Sequence, residues 1–147
     1  MKIAEKEIIK SINKKFNVEL IESHSPYMRY DAENNNYIVE IKKRHKFYED
    51  TVIEFEKYCW NKEYSKLKNK EFLYVVQYLQ IIYIFNITTL DKEQYNYSWH
   101  WRGMPKQTEF NQTEDIDKFI GYINIKESVV EFSDDKFHHN RTTSTTP

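Results

Sequence analysis

The stretch YDAENNNYIVEIKKR, Tyr30 to Arg44, is the part of this 147-residue chain from which its fold can be predicted. The Asn-rich segment 33–36 predicts a turn, because Asn tolerates the left-handed backbone conformation that Gly would otherwise supply. The next segment, Tyr37–Lys42, alternates and contains β-branched residues, which predicts a strand. A strand at Tyr27–Asp31 on the other side of the turn would complete a hairpin.

Three ionisable side chains come together if this hairpin forms. Residues two apart in a strand share a face, so Glu40 and Lys42 point the same way while Ile41 is buried on the other face. The hairpin brings Asp31 beside Glu40, and two carboxylates so close repel unless a cation neutralises them. Mg²⁺ accepts one or two carboxylates together with water and phosphate oxygens. The lysine would place a positive charge near the same phosphate. The pattern therefore indicates a metal-dependent phosphodiesterase centre.

The pattern Asp-x8-Glu-x-Lys, placed across a hairpin between two predicted helices, resembles the PD-(D/E)XK nuclease superfamily. That superfamily includes restriction endonucleases and archaeal-type Holliday junction resolvases. The resemblance covers Ile3 to Tyr78, and Tyr30 stands where the family motif has Pro. It implies an α+β (mixed α/β) fold with a central mixed β-sheet flanked by helices, in the order α-β-β-β-α-β.

The resemblance also implies roles for individual residues. Asp31, Glu40 and Lys42 would be catalytic, with Glu5 on the first helix as a further carboxylate and Glu7 as its alternative. The metal, Mg²⁺ or Mn²⁺, would be held by Asp31, Glu40 and the carbonyl of Ile41. DNA would be the substrate, with RNA less favoured, and resolvase-type members work as homodimers. The expected phosphate contacts at the mouth of the site are Lys43, Arg44 and Lys46, and the later segment SWHWRGMPKQTEF, Ser98 to Phe110, suggests Arg102 and Lys106 as further contacts.

Elsewhere the apolar spacing predicts helices and strands around this hairpin. We expect one domain over residues 1–133 and a disordered tail over 134–147, which has no apolar period. The predicted helices are Ile3–Lys15, Phe47–Lys68 and a short one at Asp115–Tyr122. The predicted strands besides the hairpin are Val18–Ile21, Phe72–Tyr78, Ile81–Ile87 and Tyr95–Arg102, with Ser128–Phe132 left open.

The overall composition limits the classes of function. The net charge of -1 provides no global attraction to nucleic acid, so DNA contact would need a local basic patch. The single Cys59 excludes an intramolecular disulfide and a Cys-based zinc site, and it suits a reducing compartment. The charged N-terminal segment and the lack of a long apolar run predict a cytoplasmic protein without membrane spans. The bias toward Tyr, Asn, Ile and Lys suggests an AT-rich genome such as that of a phage.

Each residue singled out also has a structural interpretation. Asp31 can start the turn through its own backbone bonding, and Glu40 with Lys42 can be a solvent-facing pair on an antiparallel strand. Trp99 and Trp101 share a strand face and are typical of a core more often than of a base-stacking surface. The second helix can supply a side chain to the site, for which Tyr58 and Lys62 are the candidates. The alternative function is a catalytically inactive nuclease fold that acts as an inhibitor or adaptor of a host protein.

Overall fold

The structure, a computed structural model, describes residues 3–105 and 115–133 of the chain. These residues form three helices and nine strands, with a short 3-10 helix at Ile125–Glu127. The helices are α1 (Ile3–Phe16), α2 (Phe55–Leu67) and α3 (Ile87–Lys92). The strands are β1 (Ile21–Glu22), β2 (Ala32–Glu33), β3 (Tyr37–Arg44), β4 (Asp50–Glu54), β5 (Glu71–Tyr78), β6 (Ile81–Asn86), β7 (His100–Pro105), β8 (Asp115–Asn124) and β9 (Val130–Ser133). Lys106 and the tail 134–147 lie outside the described residues.

A six-stranded sheet in the order β1-β2-β3-β5-β6-β9 forms the centre of the fold. β3 and β5 run parallel, and the other neighbours in this sheet are antiparallel. Because β3 is central and covered on both faces, four consecutive residues from Ile38 to Ile41 are buried rather than alternating. β4, β8 and β7 form a separate three-stranded antiparallel sheet. The predicted α+β class with a central mixed sheet is confirmed.

The two faces of the large sheet carry separate apolar cores. On one face the buried stripe of α1, made of Ile8, Ile9 and Ile12, packs against Val39 and Ile41 of β3. On the other face an aromatic core joins β5 and β6 to α2, α3 and the small sheet. Glu40 and Lys42 point toward this second face, because their neighbour Ile41 is buried on the first. The site residues of β3 are therefore covered by α2 and β4.

Helix ends follow from local chemistry. α1 ends before Asn17, which adopts the left-handed backbone conformation with φ of 53°. The Asn13 side chain makes two hydrogen bonds to the backbone of Leu20 in the segment that follows. α3 begins at the cap Asn86, whose side-chain oxygen accepts a hydrogen bond from the Thr89 N–H at 3.0 Å. No helix within residues 3–105 and 115–133 has the length and apolar character needed to cross a membrane.

Three predicted elements differ from the structure. Residues 50–54, predicted as the start of a long helix, form β4, because the β-branched run Thr51-Val52-Ile53 pairs with β8. Residues 115–122, predicted as a helix, belong to strand β8, which pairs with strands on both sides. Residues 27–31, predicted as a strand, are irregular and include a turn closed by the Met28 N–H on the Ser25 carbonyl.

The remaining boundaries shift by shorter lengths. The first strand is Ile21–Glu22 rather than Val18–Ile21. The segment predicted as a strand at Ile81–Ile87 ends at Asn86, where α3 starts. The late strand begins at His100 rather than at Tyr95, and the segment left open, Ser128–Phe132, overlaps β9.

Candidate active site

Asp31 takes its position from the point where the hairpin opens. Its backbone N–H donates to the Val39 carbonyl at 2.8 Å, just before β2 begins at Ala32. At the next position of β3 the hydrogen-bond partner is the Asp31 side chain instead of a strand backbone, because carboxylate oxygen Oδ2 accepts the Ile41 N–H at 2.7 Å. The N–H and carbonyl of one strand residue point to the same side, so the Ile41 carbonyl faces the same opening. This placement fits the role that the resemblance gives to Asp31 and to the Ile41 carbonyl.

Side chains from α1, β3 and α2 meet in one open pocket of about 400 Å³. The predicted residues Glu5, Asp31, Glu40, Ile41 and Lys42 all line it. The alternative Glu7 faces elsewhere, with its carboxylate 3.9 Å from Lys10 Nζ one turn further along α1. Lys57 of α2 and the loop residues Pro26, Tyr27, Met28 and Arg29 complete the pocket wall.

Glu40 is the most buried ionisable group of this pocket, with 4% of its surface exposed. Its Oε2 lies 3.4 Å from Lys57 Nζ and 3.9 Å from Lys42 Nζ. Burial raises the pKa of Glu40, and the two ammonium groups oppose that rise. The solvent-facing arrangement considered for Glu40 and Lys42 therefore does not apply, because β3 is an inner strand.

Burial and neighbouring like charges shift the pKa values of Asp31 and Lys42 in the pocket. Burial raises the pKa of Asp31 to about 7, and repulsion by the Glu40 carboxylate adds to the rise, with a smaller contribution from Glu5. Burial lowers the pKa of Lys42 to about 8, and Lys57 adds to that fall while Glu40 opposes it. A carboxyl group whose pKa is raised toward neutral by burial and by a second carboxylate is typical of functional sites.

The pocket contains oxygen atoms that could bind Mg²⁺ or Mn²⁺, although it is not a preformed metal cage. No group of three or more His, Cys, Asp or Glu side chains in the described part of the chain is arranged to hold a metal ion. Mg²⁺ does not need such a group, since it binds through one or two carboxylates and keeps several waters. Asp31, Glu40 and the Ile41 carbonyl line the pocket and could serve as such ligands. Burial is the largest cause of the raised pKa of Asp31, repulsion by Glu40 adds to it, and a cation beside the two carboxylates would lower that pKa.

The predicted phosphate contacts are placed differently from one another. Lys43 and Lys46 are exposed, and Lys46 Nζ lies 5.4 Å from the centre of the Tyr48 ring. Arg102 is exposed on β7 and donates to the Tyr122 hydroxyl. Lys106 lies outside the described residues. Arg44 needs a correction, because its guanidinium reaches inward to the Val52 carbonyl and the Tyr74 hydroxyl, each at 3.3 Å.

Arg44 therefore joins β3 to β4, and we expect its loss to affect stability rather than DNA binding. Arg44→Ala removes the charged donor shared by the Val52 carbonyl and the buried Tyr74 hydroxyl, which keep their mutual hydrogen bond at 2.8 Å, and it costs about 2 kcal/mol of the free energy of unfolding. Lys43→Ala, one residue earlier and exposed, should change it by less than about 0.5 kcal/mol. Urea denaturation of the two variants checks this, and equal stabilities would contradict the assignment.

Sequence reasoning did not identify Lys57, and it named other residues of the same helix. Tyr58 is buried in the aromatic core, and its hydroxyl donates to Asp91 at 2.9 Å. Lys62 pairs with the same Asp91 at 3.5 Å, so neither residue reaches the pocket. Lys57 precedes the buried stripe of α2 by one residue, and only the packing of α2 against β3 reveals its contact with Glu40.

Trp99 and Trp101 lie in different environments. Trp99 packs against the aromatic core, where its ring centre lies 4.9 Å from that of Phe55. Trp101 is 69% exposed and touches Phe119 from outside. The core interpretation therefore holds for Trp99 but not for Trp101.

Comparison with known proteins gives a match at the level of structure. The sequence matches no protein-family model and no curated protein. The structure is similar to that of Archaeoglobus fulgidus Hjc, a Holliday junction resolvase from an archaeal hyperthermophile, with a TM-score of 0.50 and 12% sequence identity. The match covers 90% of this chain and 97% of Hjc. The chain therefore has the fold of this archaeal Holliday junction resolvase, in agreement with the fold that the resemblance implied.

Proposed function

We propose that this chain is a metal-dependent nuclease that hydrolyses phosphodiester bonds of DNA. The observation that supports it best is the meeting of Glu5, Asp31, Glu40 and Lys42 in one open pocket. Asp31, Glu40 and Lys42 are the motif residues, the resemblance adds Glu5, and the pocket lies in a resolvase-like fold. RNA is the less favoured substrate, and a structure-selective enzyme suits the near-neutral net charge.

The chain's own residues have separate tasks in this proposal. Asp31 and Glu40 would hold Mg²⁺ or Mn²⁺ together with the Ile41 carbonyl, and Glu5 would add negative charge from α1. The ion would make an attacking water more acidic and neutralise charge on the phosphate. Lys42 would place its ammonium beside the phosphate oxygens, where negative charge increases in the transition state. Because Lys42 is fixed on the central strand, its position needs little reorganisation during the reaction.

DNA would also be contacted by exposed basic side chains outside the pocket. Lys43 on β3, Lys46 after it and Arg102 on β7 are exposed cations. Lys106 would be a further phosphate contact. A homodimer would enlarge the basic surface of a chain whose net charge is close to zero.

Cleavage of labelled linear, nicked and four-way-junction DNA tests this proposal. With Mg²⁺ or Mn²⁺ we expect the purified protein to cut at least one of the three substrates, and the preferred one defines the subclass. Excess EDTA should abolish cleavage, because water would lose its activating cation. Cleavage that continues in EDTA would contradict the proposed chemistry.

The contact of Lys57 with Glu40 favours a second candidate, an inactive nuclease fold that binds a host protein. An ammonium at 3.4 Å already neutralises the carboxylate that would hold the metal. This candidate predicts no cleavage of the three substrates and no Mn²⁺ binding by calorimetry, whereas the nuclease predicts both.

A further inference from the structure

Two ammonium groups share one oxygen atom of Glu40. Lys57 Nζ lies 3.4 Å from Oε2 and Lys42 Nζ lies 3.9 Å from the same atom. Lys57 belongs to the first turn of α2 and lines the pocket, whereas Glu40 and Lys42 belong to β3. The sequence motif accounts for Lys42 but assigns no role to Lys57.

The metal-free protein needs a cation at this position. A carboxylate with 4% exposure is costly to bury unless an opposite charge and hydrogen bonds compensate it. Lys57 is the nearer of the two cations.

A divalent cation and the Lys57 ammonium would compete for Glu40. Both would need to lie close to the same carboxylate, and two cations that close repel each other. Lys57 is able to leave, because its side chain is 35% exposed and has a flexible four-carbon stem. Lys42 is more enclosed, with 19% of its side chain exposed.

We propose that Lys57 is an exchangeable counter-ion: it neutralises Glu40 in the metal-free protein, releases that carboxylate to the metal, and then binds a DNA phosphate at the pocket mouth. This inference rests on the proposed nuclease function. It follows that metal and DNA bind cooperatively, because DNA accepts the ammonium that the metal displaces. By linkage, each ligand then raises the affinity for the other by the same factor.

The pairing itself can be tested in metal-free protein by a double-mutant cycle of Glu40→Gln and Lys57→Met. Urea denaturation in EDTA gives the unfolding equilibrium constants of wild type, both single variants and the double variant. We expect the effects to be non-additive by about tenfold in that constant. Additive effects would overturn the pairing, whatever the protein does with metal or DNA.

The exchange can be tested by Mn²⁺ titration with and without a short phosphorothioate DNA duplex, confirmed intact by gel after each titration. For wild type we expect the duplex to raise Mn²⁺ affinity about tenfold. Lys57→Met should bind Mn²⁺ about tenfold more tightly than wild type without DNA, and the duplex should then add less than about twofold. Lys66→Met is the matched control, since it removes the same charge from an exposed position about 13 Å along α2.

The outcomes separate this inference from the proposed function. Tighter Mn²⁺ binding by Lys57→Met with unchanged DNA coupling would overturn the exchange and leave only a general charge effect. Equal behaviour of Lys57→Met and Lys66→Met would overturn it as well. Absence of Mn²⁺ binding in every variant, together with a non-additive cycle, would overturn the nuclease proposal and make Lys57 a permanent partner of Glu40.

Discussion

Lys42→Met is expected to slow DNA cleavage by about 10²–10³-fold at saturating DNA, while Mn²⁺ binding is retained. A preorganised cation beside the reacting phosphate acts mainly on the transition state, and loss of one such donor typically costs this much. Methionine keeps most of the side-chain length and adds no new charge. Glu40 keeps Lys57 as its remaining partner at 3.4 Å, so the variant should fold.

Lys43→Met is the matched control, because it removes the same charge one residue further along β3 from an exposed position. Its effect should appear in KM for DNA and not in kcat, since an exposed phosphate contact contributes similarly to substrate and transition state. Single-turnover cleavage of the preferred substrate separates the two variants. A Lys42→Met rate within tenfold of wild type would remove Lys42 from the catalytic assignment.

The central part of the fold could be predicted because its local signals agree with its tertiary environment. α1 has an apolar stripe, and the β-branched and aromatic residues of β5 and β6 predict strands. β8 was not predictable in this way, because it pairs with β4, which comes before α2, β5 and β6 in the chain. Its interior Gly121 was a usable signal, since glycine weakens a helix and marks close approach in a strand. A Cβ there would meet Trp99 and Tyr97 at 2.8 Å.

The candidate site was predictable as far as the hairpin extends. The alternation of β3 placed Glu40 and Lys42 on one face, and the register of the hairpin placed Asp31 beside them. Arg44 was misjudged because sequence alone did not reveal that β4 covers the end of β3. Lys57 was missed because its contact depends on how α2 packs on the sheet, which no short pattern encodes.

Asp31→Asn is expected to have opposite effects on the stability of the protein without metal and with it. In metal-free protein, burial and the neighbouring Glu40 raise the pKa of Asp31 from 3.8 to about 7. The folded state therefore binds this proton more tightly than the unfolded chain, so stability falls as pH rises from about 4 to 7. Asparagine has no charge to bury, and its side-chain oxygen can still accept the Ile41 N–H.

In EDTA, Asp31→Asn should therefore be more stable than wild type by on the order of 2–4 kcal/mol at pH 7.5. The difference should shrink as pH falls and vanish near pH 4. With Mn²⁺ at about 100 times its Kd, wild type gains about 2.7 kcal/mol and the variant gains almost nothing, because it lacks one of the two carboxylates. Urea denaturation across this pH range, repeated with Mn²⁺, measures both effects.

A variant less stable than wild type in EDTA at pH 7.5 would show that Asp31 is kept for the turn and not for a cation. The combination of a stabilised apoprotein and a lost response to Mn²⁺ instead requires a carboxylate that is unfavourable until a metal binds, because no purely structural role produces both.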